Sequence, residues 1–233
     1  MSVNRRSDKG KRGGDDPRII SCDPAGCVVP GGEKPVDLIA GDRSDEGEQK
    51  PGLLLHSCCG PCSTSVIETL AGEFDITVFY YNPCITDEEE YIRRRDTQKE
   101  FIEKYNMRHP GQTPIRIIEG VYNPGSFLNM IRGTEDEPEG GKRCLLCFEQ
   151  RLEKTAETAK LQGFDYFTTT LTVSPHKNYG KISEIGRRKA LRYGITFLDR
   201  DFKKKDGFKR SIEMSKSYEL YRQNYCGCRF SKR

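Results

Sequence analysis

Seven of the ten cysteines in this chain of 233 residues fall into three short clusters. The clusters are His56-Ser57-Cys58-Cys59-Gly60-Pro61-Cys62, Cys144-Leu145-Leu146-Cys147 and Tyr225-Cys226-Gly227-Cys228. Clusters this compact and this far apart are typical of ligands that converge on a soft metal centre, so the fold has to bring distant segments together. Because one zinc ion or one iron–sulfur cluster needs about four thiolates, the surplus indicates redox chemistry beside metal binding.

The use of the cysteines depends on the compartment. The N-terminus is polar and charged, without the apolar core of a signal peptide, and no segment has the length of a membrane span. We therefore expect a cytoplasmic protein without a membrane partner, in which thiols stay reduced. In that compartment clustered cysteines indicate metal binding or redox work rather than structural disulfides.

The charge is unevenly distributed along the chain. The whole chain carries a formal net charge of +4, but residues 143–233 carry 21 Lys and Arg against 10 Asp and Glu. A basic half of this kind indicates a polyanionic partner, and nucleic acid is the obvious one. The alternative is that these charges are solvated helix faces and a basic tail.

The chain divides by composition into two parts. Residues 1–50 are rich in Gly, Pro and charged residues without a sustained apolar period, which predicts a disordered tail. Cys22 and Cys27 lie in this tail, and we interpret them as incidental rather than as a metal loop. Residues 51–233 are predicted to form one catalytic α/β domain.

Apolar runs and helical periods alternate through the second part. Strands are predicted at residues 52–56, 74–81, 115–118, 165–172 and 195–198. Helices are predicted at 63–70, 86–105, 126–131, 144–161, 182–193 and 207–221. Alternation of this kind predicts a three-layer α/β domain with a mostly parallel sheet.

Two of the cysteine clusters occupy equivalent places in this pattern. Cys58 and Cys59 follow a predicted strand and precede a helix, and Cys144 and Cys147 lie at the start of another helix. Loops of this type meet at the carboxyl edge of a parallel sheet, and helix N-termini favour thiolates over thiols. We therefore expect Cys58, Cys59, Cys144 and Cys147 to bind one metal centre.

The double cysteine bears on which metal is bound. Adjacent cysteines do not easily reach one small ion, but they can bind different irons of a larger group, so Cys58-Cys59 favours a [4Fe–4S] cluster over zinc. Cys62 follows in the first helical turn. It either packs as a small apolar residue or binds the cluster or a second metal beside it.

The remaining cysteines and histidines carry weaker signals. A disulfide between Cys226 and Cys228 would close a small, strained ring and be reduced readily, which suits a redox-active pair, although metal ligation stays open. Cys84 is isolated in the sequence and is interpreted as structural or incidental. His56 is expected to help orient the first cluster, and His176 is a candidate proton donor.

Six segments together resemble one known family. They are LLLHSCCGPCS (53–63), YYNPCITDEEEYIRRR (80–95), RCLLCFEQRLEKTA (143–156), FDYFTTTLTVSPHKN (164–178), DFKKKDGFKRS (201–211) and YRQNYCGCRFS (221–231). In this order they resemble the iron–sulfur, cobalamin-independent epoxyqueuosine reductases of tRNA queuosine biosynthesis. The resemblance runs from Leu53 to about Ser231. It departs at Cys84, where the family generally has Asn-Pro-Asn.

The resemblance implies an adenine-nucleotide α-hydrolase-like fold and an enzyme that reduces epoxyqueuosine at the tRNA wobble position to queuosine. It implies a [4Fe–4S] cluster with a possible additional iron, and a redox pair at Cys226 and Cys228. We expect Cys62 to bind the second iron, and an unidentified donor to supply electrons. The residues expected to contact the tRNA carrying epoxyqueuosine in its anticodon are Lys203, Lys204, Lys205, Lys209, Arg210, Tyr221 and Tyr225.

Two other functions also fit parts of the sequence. Adenylylsulfate reductases hold a [4Fe–4S] cluster with a double cysteine and a distant CxxC, but this chain has HSCCGPC where their phosphate-binding loop would lie. A zinc-bound, tRNA-binding module without catalysis would also use clustered cysteines and a basic surface. Visible absorption at about 400 nm would exclude the zinc module, because zinc is redox-inactive and colourless whereas iron–sulfur clusters are brown.

Overall fold

The structure, a computed structural model, describes residues 19–23, 26–27 and 50–231. The strands are β1 (Ile19–Asp23), β2 (Gly26–Cys27), β3 (Gly52–Ser57), β4 (Asp75–Tyr80), β5 (Arg116–Glu119), β6 (Tyr166–Thr169) and β7 (Thr196–Phe197). They form one sheet in the order β2-β1-β5-β4-β3-β6-β7. All neighbours pair in parallel except β1 and β2, so the predicted mostly parallel sheet is confirmed.

Helices connect the strands as predicted. They are α1 (Gly60–Leu70), α2 (Glu88–Arg108), α3 (Pro124–Met130), α4 (Lys142–Leu161), α5 (Tyr179–Tyr193) and α6 (Gly207–Ser217). Short 3-10 turns follow at Thr170–Val173 and Arg229–Ser231. Every predicted element is present, and the boundaries move by a few residues.

Two boundaries differ for local reasons. The strand predicted at 165–172 ends at Thr169, because the hydroxyl of Thr169 accepts a hydrogen bond from the Leu171 N–H and starts a 3-10 turn. The last helix ends at Ser217 instead of Tyr221. Glu219 there has a positive φ of 56°, which a helix does not accommodate.

The sheet is covered on both faces, which confirms the three-layer architecture. Leu53 and Leu55 of β3 belong to one apolar cluster with side chains of α1 and α2, whereas Leu54 points into a second cluster with α4 and α5. All three leucines are fully buried. A strand covered on both faces reads as a continuous apolar run, which is why the segment LLL predicted a buried strand.

The strand order reverses beside β3. The chain passes from β3 through β4 to β5 on one side and then returns to β6 on the other side of β3. Open α/β sheets bind ligands in the crevice at such a switch point, outside the carboxyl ends of the strands. Cys58 follows β3 at this edge and Thr170 follows β6, and the Cys58 Sγ and Thr170 Oγ1 atoms are 3.8 Å apart.

The predicted N-terminal tail falls mostly outside the described residues. Within it, β1 pairs in parallel with β5 and in antiparallel with β2, and Cys22 lies opposite Cys27 in that register. The division of the chain into a tail of residues 1–50 and a domain of residues 51–233 stays a prediction. Among the described helices, none combines the length and apolar character needed to cross a membrane.

Candidate metal and redox site

Three thiols lie together at the amino end of α1. The Sγ atoms of Cys58, Cys59 and Cys62 all lie within 4.8 Å of one another, and those of Cys58 and Cys59 are 3.9 Å apart. Within the described residues, no other group of three or more His, Cys, Asp or Glu side chains brings its ligand atoms this close. We call these three residues the thiol triad. The structure therefore places Cys62 beside the double cysteine.

The three thiols of the triad shift one another's pKa values in opposite directions. Interactions with the thiols of Cys59 and Cys62 are the main causes that lower the pKa of Cys58 well below its usual range. The pKa of Cys59 rises to about 12 and that of Cys62 also rises, mainly because each thiol interacts with the Cys58 sulfur. Three sulfurs this close together at a helix N-terminus are a donor set that suits zinc or iron.

A buried polar network fixes the loop that carries the triad. The Ser57 hydroxyl donates to Gln98 Oε1 at 2.6 Å, and the Gln98 amide donates to the Ser63 hydroxyl at 3.0 Å. Gly60 lets α1 approach α2 closely, because a Cβ there would lie 2.9 Å from the Thr97 carbonyl oxygen. The position of the triad is thus set by packing between two helices rather than by the loop alone.

His56 makes hydrogen bonds with both of its ring nitrogens at this edge of the sheet, and its expected role in orienting the first cysteine cluster stays a prediction. Its Nε2 donates to the Tyr81 carbonyl at 3.1 Å and its Nδ1 accepts from the Thr169 hydroxyl at 2.9 Å, a tautomer assigned from the carbonyl partner. Burial is the main cause that lowers the pKa of His56 to about 3. The neutral ring, hydrogen-bonded through both nitrogens, links β3 to β6 and to the end of β4, and it is not suited to act as a proton donor.

The two cysteines of the CxxC segment differ in burial and in their hydrogen-bond partners. Cys147 is buried, and its Sγ accepts a hydrogen bond from Arg151 Nη2 at 3.1 Å. Cys144 is half-buried, and its Sγ accepts from the Gly140 N–H at 3.2 Å. The expected set of Cys58, Cys59, Cys144 and Cys147 is therefore not one compact group here, and its role as a ligand set stays a prediction.

Cys84, which is isolated in the sequence, lies in this region of the structure, and its interpretation as structural or incidental stays a prediction. It is 2 % exposed. Its interaction with the Cys147 thiol is the main cause that lowers the pKa of Cys84 to about 6 and raises the pKa of Cys147. Sequence reasoning missed the contact because Cys84 has no neighbouring cysteine in the chain and meets Cys147 only through the fold.

The C-terminal segment that carries Cys226 and Cys228 contacts the triad. Gln223 Nε2 donates to Cys59 Sγ at 2.9 Å, which ties the C-terminal segment to the triad. Cys226 is half-buried and Cys228 is 8 % exposed, and both are free thiols. Burial is the main cause that raises the pKa of both groups, to about 11 for Cys228. The structure thus brings Cys226 and the triad to one site.

A buried arginine on α2 holds this C-terminal segment in place. Arg94 is 1 % exposed and pairs with Glu90 at 2.6 Å. Its guanidinium donates to the Cys226 carbonyl at 3.0 Å and to the Tyr225 carbonyl at 3.2 Å. The Tyr221 hydroxyl donates to the same Glu90 carboxylate at 3.0 Å. We call this ion pair the Glu90–Arg94 clamp.

Two neighbouring cavities open onto the site. One has a volume of about 460 Å³ and reaches Cys144, Cys147 and Cys228. The other has a volume of about 660 Å³ and reaches Cys58 and Cys62. Six residues line both cavities: Glu139, Arg151, His176, Lys177, Cys226 and Ser231. Cys226 therefore stands where a ligand in either cavity would meet it.

Two cations of the cavity walls were missed by the sequence analysis. Arg151 is 2 % exposed and bonds the Cys147 sulfur. Burial opposes the charge of Lys177, but the thiol groups of Cys226, Cys58 and Cys62 outweigh it and raise its pKa. The sequence signal available was the position of Lys177 after β6, at the edge where ligands bind. His176, the predicted proton donor, also lines the cavities but is exposed.

The residues predicted to contact tRNA are divided between the surface and the site. Lys204 and Lys205 are exposed, and Lys203 is half-buried with its ammonium on the Lys177 carbonyl at 3.3 Å. Tyr225 lines the larger cavity. One face of the Tyr221 ring is covered by the Arg93 guanidinium, 3.6 Å from the ring centroid. Their contacts with tRNA stay predictions.

The two remaining basic residues of that prediction lie on α6. Lys209 is exposed. Arg210 is half-buried and forms an ion pair with Glu68 of α1, so its charge is already partnered within the chain.

Comparisons with known proteins agree on one family. The family described as epoxyqueuosine reductase QueH matches residues 53–233. A protein of that name from Streptococcus pyogenes serotype M1 is 44 % identical over 179 residues, covering 77 % of this chain and 69 % of the relative. Relatives of the same name from Staphylococcus epidermidis and Thermotoga maritima are 43 % and 34 % identical, over 78 % and 77 % of this chain and 77 % and 89 % of their own lengths.

Proposed function

Because the chain belongs to the epoxyqueuosine reductase QueH family, a family of oxidoreductases, we propose that it reduces the epoxide of epoxyqueuosine in tRNA to give queuosine. The observation that carries this proposal is the family match over the whole segment that contains the three cysteine clusters. Family membership also favours this reaction over an adenylylsulfate reductase and over a zinc-bound module without catalysis. We place the reaction in the cytoplasm.

We further propose that the chain works with iron and sulfur and without cobalamin. The donor set supports this, because the thiol triad offers three sulfurs within 4.8 Å of one another. A [4Fe–4S] cluster would be held by Cys58, Cys59, Cys144 and Cys147, and an additional iron by Cys62. When bound, this group would supply electrons and polarise the epoxide oxygen.

The chain itself would bind and enclose the modified base. The larger cavity lies between the triad and the C-terminal segment, and Tyr225 lines it beside Cys226. An aromatic wall can stack on a base that has been turned out of the anticodon loop. Cys226 and Cys228 would serve as the redox pair that an external electron donor recharges.

Nucleoside analysis tests the reaction directly. The chain is expressed in a bacterium whose own epoxyqueuosine reductase has been deleted, and tRNA nucleosides are separated by liquid chromatography and mass spectrometry. We expect queuosine to replace accumulated epoxyqueuosine, with an empty vector and a Cys58→Ala/Cys59→Ala chain as controls. Persistent epoxyqueuosine in cells that accumulate the folded, iron-loaded protein would contradict the proposal.

Charge reversal tests the predicted tRNA surface. Lys204→Glu/Lys205→Glu leaves the bond between Lys203 and the Lys177 carbonyl intact. We expect roughly tenfold weaker tRNA binding at moderate salt. The slope of log binding constant against log salt concentration should fall by about one to two, because each phosphate contact releases close to one counterion. Fluorescence anisotropy over a salt series measures both quantities.

A matched control uses Lys154→Glu/Lys160→Glu on α4, since these side chains lie outside both cavities. If the two double variants bind tRNA equally well, Lys204 and Lys205 do not contact tRNA and only keep that surface solvated.

A further inference from the structure

We propose that Lys177 is a catalytic residue that donates a hydrogen bond, and then a proton, to the epoxide oxygen as it leaves. This inference rests on the proposed function and assigns a role that neither the family match nor the cysteine pattern provides. It replaces His176, the donor favoured by the sequence, with its neighbour.

The backbone of Lys177 is held on both sides. Its N–H donates to the Ser174 carbonyl at 3.2 Å, and its own carbonyl accepts from Lys203 at 3.3 Å. The next residue, Asn178, caps α5 by accepting from the Lys181 N–H. A fixed backbone means that the side chain emerges from one defined point of the cavity wall, which favours precise positioning of its ammonium group.

Lys177 borders the thiols of three different elements. It lines the smaller cavity with Cys144, the larger cavity with Cys58 and Cys62, and both cavities with Cys226. A ligand in the larger cavity therefore meets Lys177 and two thiols of the triad in the same lining. The residue is half-buried, so its ammonium is partly shielded from solvent and its interaction with a ligand is strengthened.

The other cations of the larger cavity are already engaged. Arg94 binds Glu90 and two carbonyls, Arg151 binds the Cys147 sulfur, and Arg222 reaches the Ser215 hydroxyl at 3.5 Å. Across residues 50–231, no hydrogen bond or ion pair occupies the Lys177 ammonium. Lys177 therefore lines this cavity with no partner for its ammonium among residues 50–231, so all of its donors are available to a ligand.

The reaction needs such a donor. Reduction of an epoxide to an alkene breaks two C–O bonds, forms one C=C bond, and consumes two electrons and two protons, with the oxygen leaving as water. The electrons come from a low-potential one-electron donor, used twice. Breaking the first C–O bond places negative charge on oxygen, and an alkoxide is a much stronger base than an amine. The Lys177 ammonium stabilises that charge and gives the first proton, and solvent supplies the second proton and reloads the amine.

Variants of Lys177 test this role in single-turnover reactions. Anaerobically reconstituted protein is mixed with tRNA containing epoxyqueuosine and dithionite, and queuosine formation is followed by mass spectrometry. We expect Lys177→Gln to slow the reaction about 100-fold, and Lys177→Arg to slow it about tenfold because the guanidinium still donates. Iron content and tRNA affinity are expected to stay within about twofold of the parent protein.

Chemical rescue separates catalysis from a structural role. In Lys177→Ala, added ethylammonium is expected to restore the rate at least fivefold, because a free ammonium enters the vacated space. The charge-matched control is Lys181→Gln, whose side chain pairs with Glu184 on the exposed face of α5; it is expected to react at the parent rate.

The outcomes distinguish the two proposals. If the parent protein forms queuosine and Lys177→Gln forms it equally fast, the role of Lys177 is refuted while the proposed function stands. A slow Lys177→Gln that has lost iron in proportion to its rate, and a Lys177→Ala without rescue, would assign Lys177 to the structure of the site. A reconstituted parent protein that forms no queuosine refutes the function itself.

Discussion

Cys59→Ser protein reconstituted anaerobically with iron and sulfide is expected to retain less than about one tenth of the bound iron and visible absorbance of the parent protein. The thiol triad offers three sulfurs within 4.8 Å, and Cys59 is the member that is fully buried. A serine oxygen is a poor ligand for a soft metal, and even changes beside a metal site commonly lower affinity by about 10- to 100-fold. Loss of a ligand in the triad should have at least that effect.

The measurement is iron and sulfide content together with the absorption spectrum. Cys58→Ser is expected to behave like Cys59→Ser, whereas Cys62→Ser is expected to remove only the additional iron and leave the cluster absorbance. Cys22→Ser removes a thiol that precedes the family-matched residues 53–233 and serves as the control. A Cys59→Ser protein with the full iron content and spectrum of the parent would show that the triad does not hold the metal.

Arg94→Gln is expected to lower turnover about 10- to 100-fold and to increase the alkylation rate of Cys226 severalfold. The guanidinium holds the carbonyls on both sides of the Tyr225–Cys226 peptide link, and it is paired with a carboxylate inside the protein. Without it the C-terminal segment loses its anchor and the Glu90 carboxylate loses its cation. Removing one partner of a buried ion pair typically destabilises a protein by about 3–5 kcal/mol.

Three measurements separate positioning from simple unfolding. Urea unfolding gives the free energy of unfolding, iodoacetamide labelling with mass spectrometry reports on Cys226, and single-turnover rates report on the reaction. The control is Arg95→Gln in the same turn of α2, because Arg95 pairs with Asp96 and Glu119 and does not reach the C-terminal segment. Glu90→Gln is a milder variant that keeps the shape of the clamp. We expect it to lower turnover and to increase the alkylation rate of Cys226 less than Arg94→Gln does.

Gly227 lies against the Glu90–Arg94 clamp, and we expect its substitution to disturb the clamp. Gly227 has φ of +106°, and a Cβ there would lie 2.9 Å from both Arg94 Nη1 and Ile85 Cγ1. Gly227→Ala should therefore increase the alkylation rate of Cys226 as Arg94→Gln does, because the added methyl group would displace the Arg94 guanidinium. Cys226 labelling at the parent rate in both Arg94→Gln and Gly227→Ala, with both proteins folded, would contradict the clamp.

Sequence patterns were sufficient where a local rule applied. The run Leu53-Leu54-Leu55 predicted a strand covered on both faces, and the position of Cys58 after that strand predicted a place at the carboxyl edge of the sheet. The helix predicted at residues 63–70 is present as α1 and begins three residues earlier, at Gly60. Each of these conclusions depends on residues only a few positions apart, and short-range geometry is nearly the same in every fold.

Sequence patterns failed where the partner lies far along the chain. Cys84 has no cysteine nearby in sequence, yet it contacts Cys147. Arg94 lies within the helix predicted at residues 86–105, and its contact with the C-terminal loop has no signal in the sequence. Spacing cannot reveal either contact, because each depends on which helix packs against which loop.

The amino-acid sequence by itself determined the α/β class, the order of strands and helices, the three cysteine clusters and the family. These follow from periodicity, turn residues and motifs, which are local properties. The tertiary structure decided that Cys62 completes a triad with Cys58 and Cys59 and that the clamp holds the Cys226 carbonyl. It also decided that Lys177 lines both cavities without a side-chain partner among residues 50–231. The physical reason is that burial, charge pairing and distance are set by long-range packing, and a chemical role depends on all three.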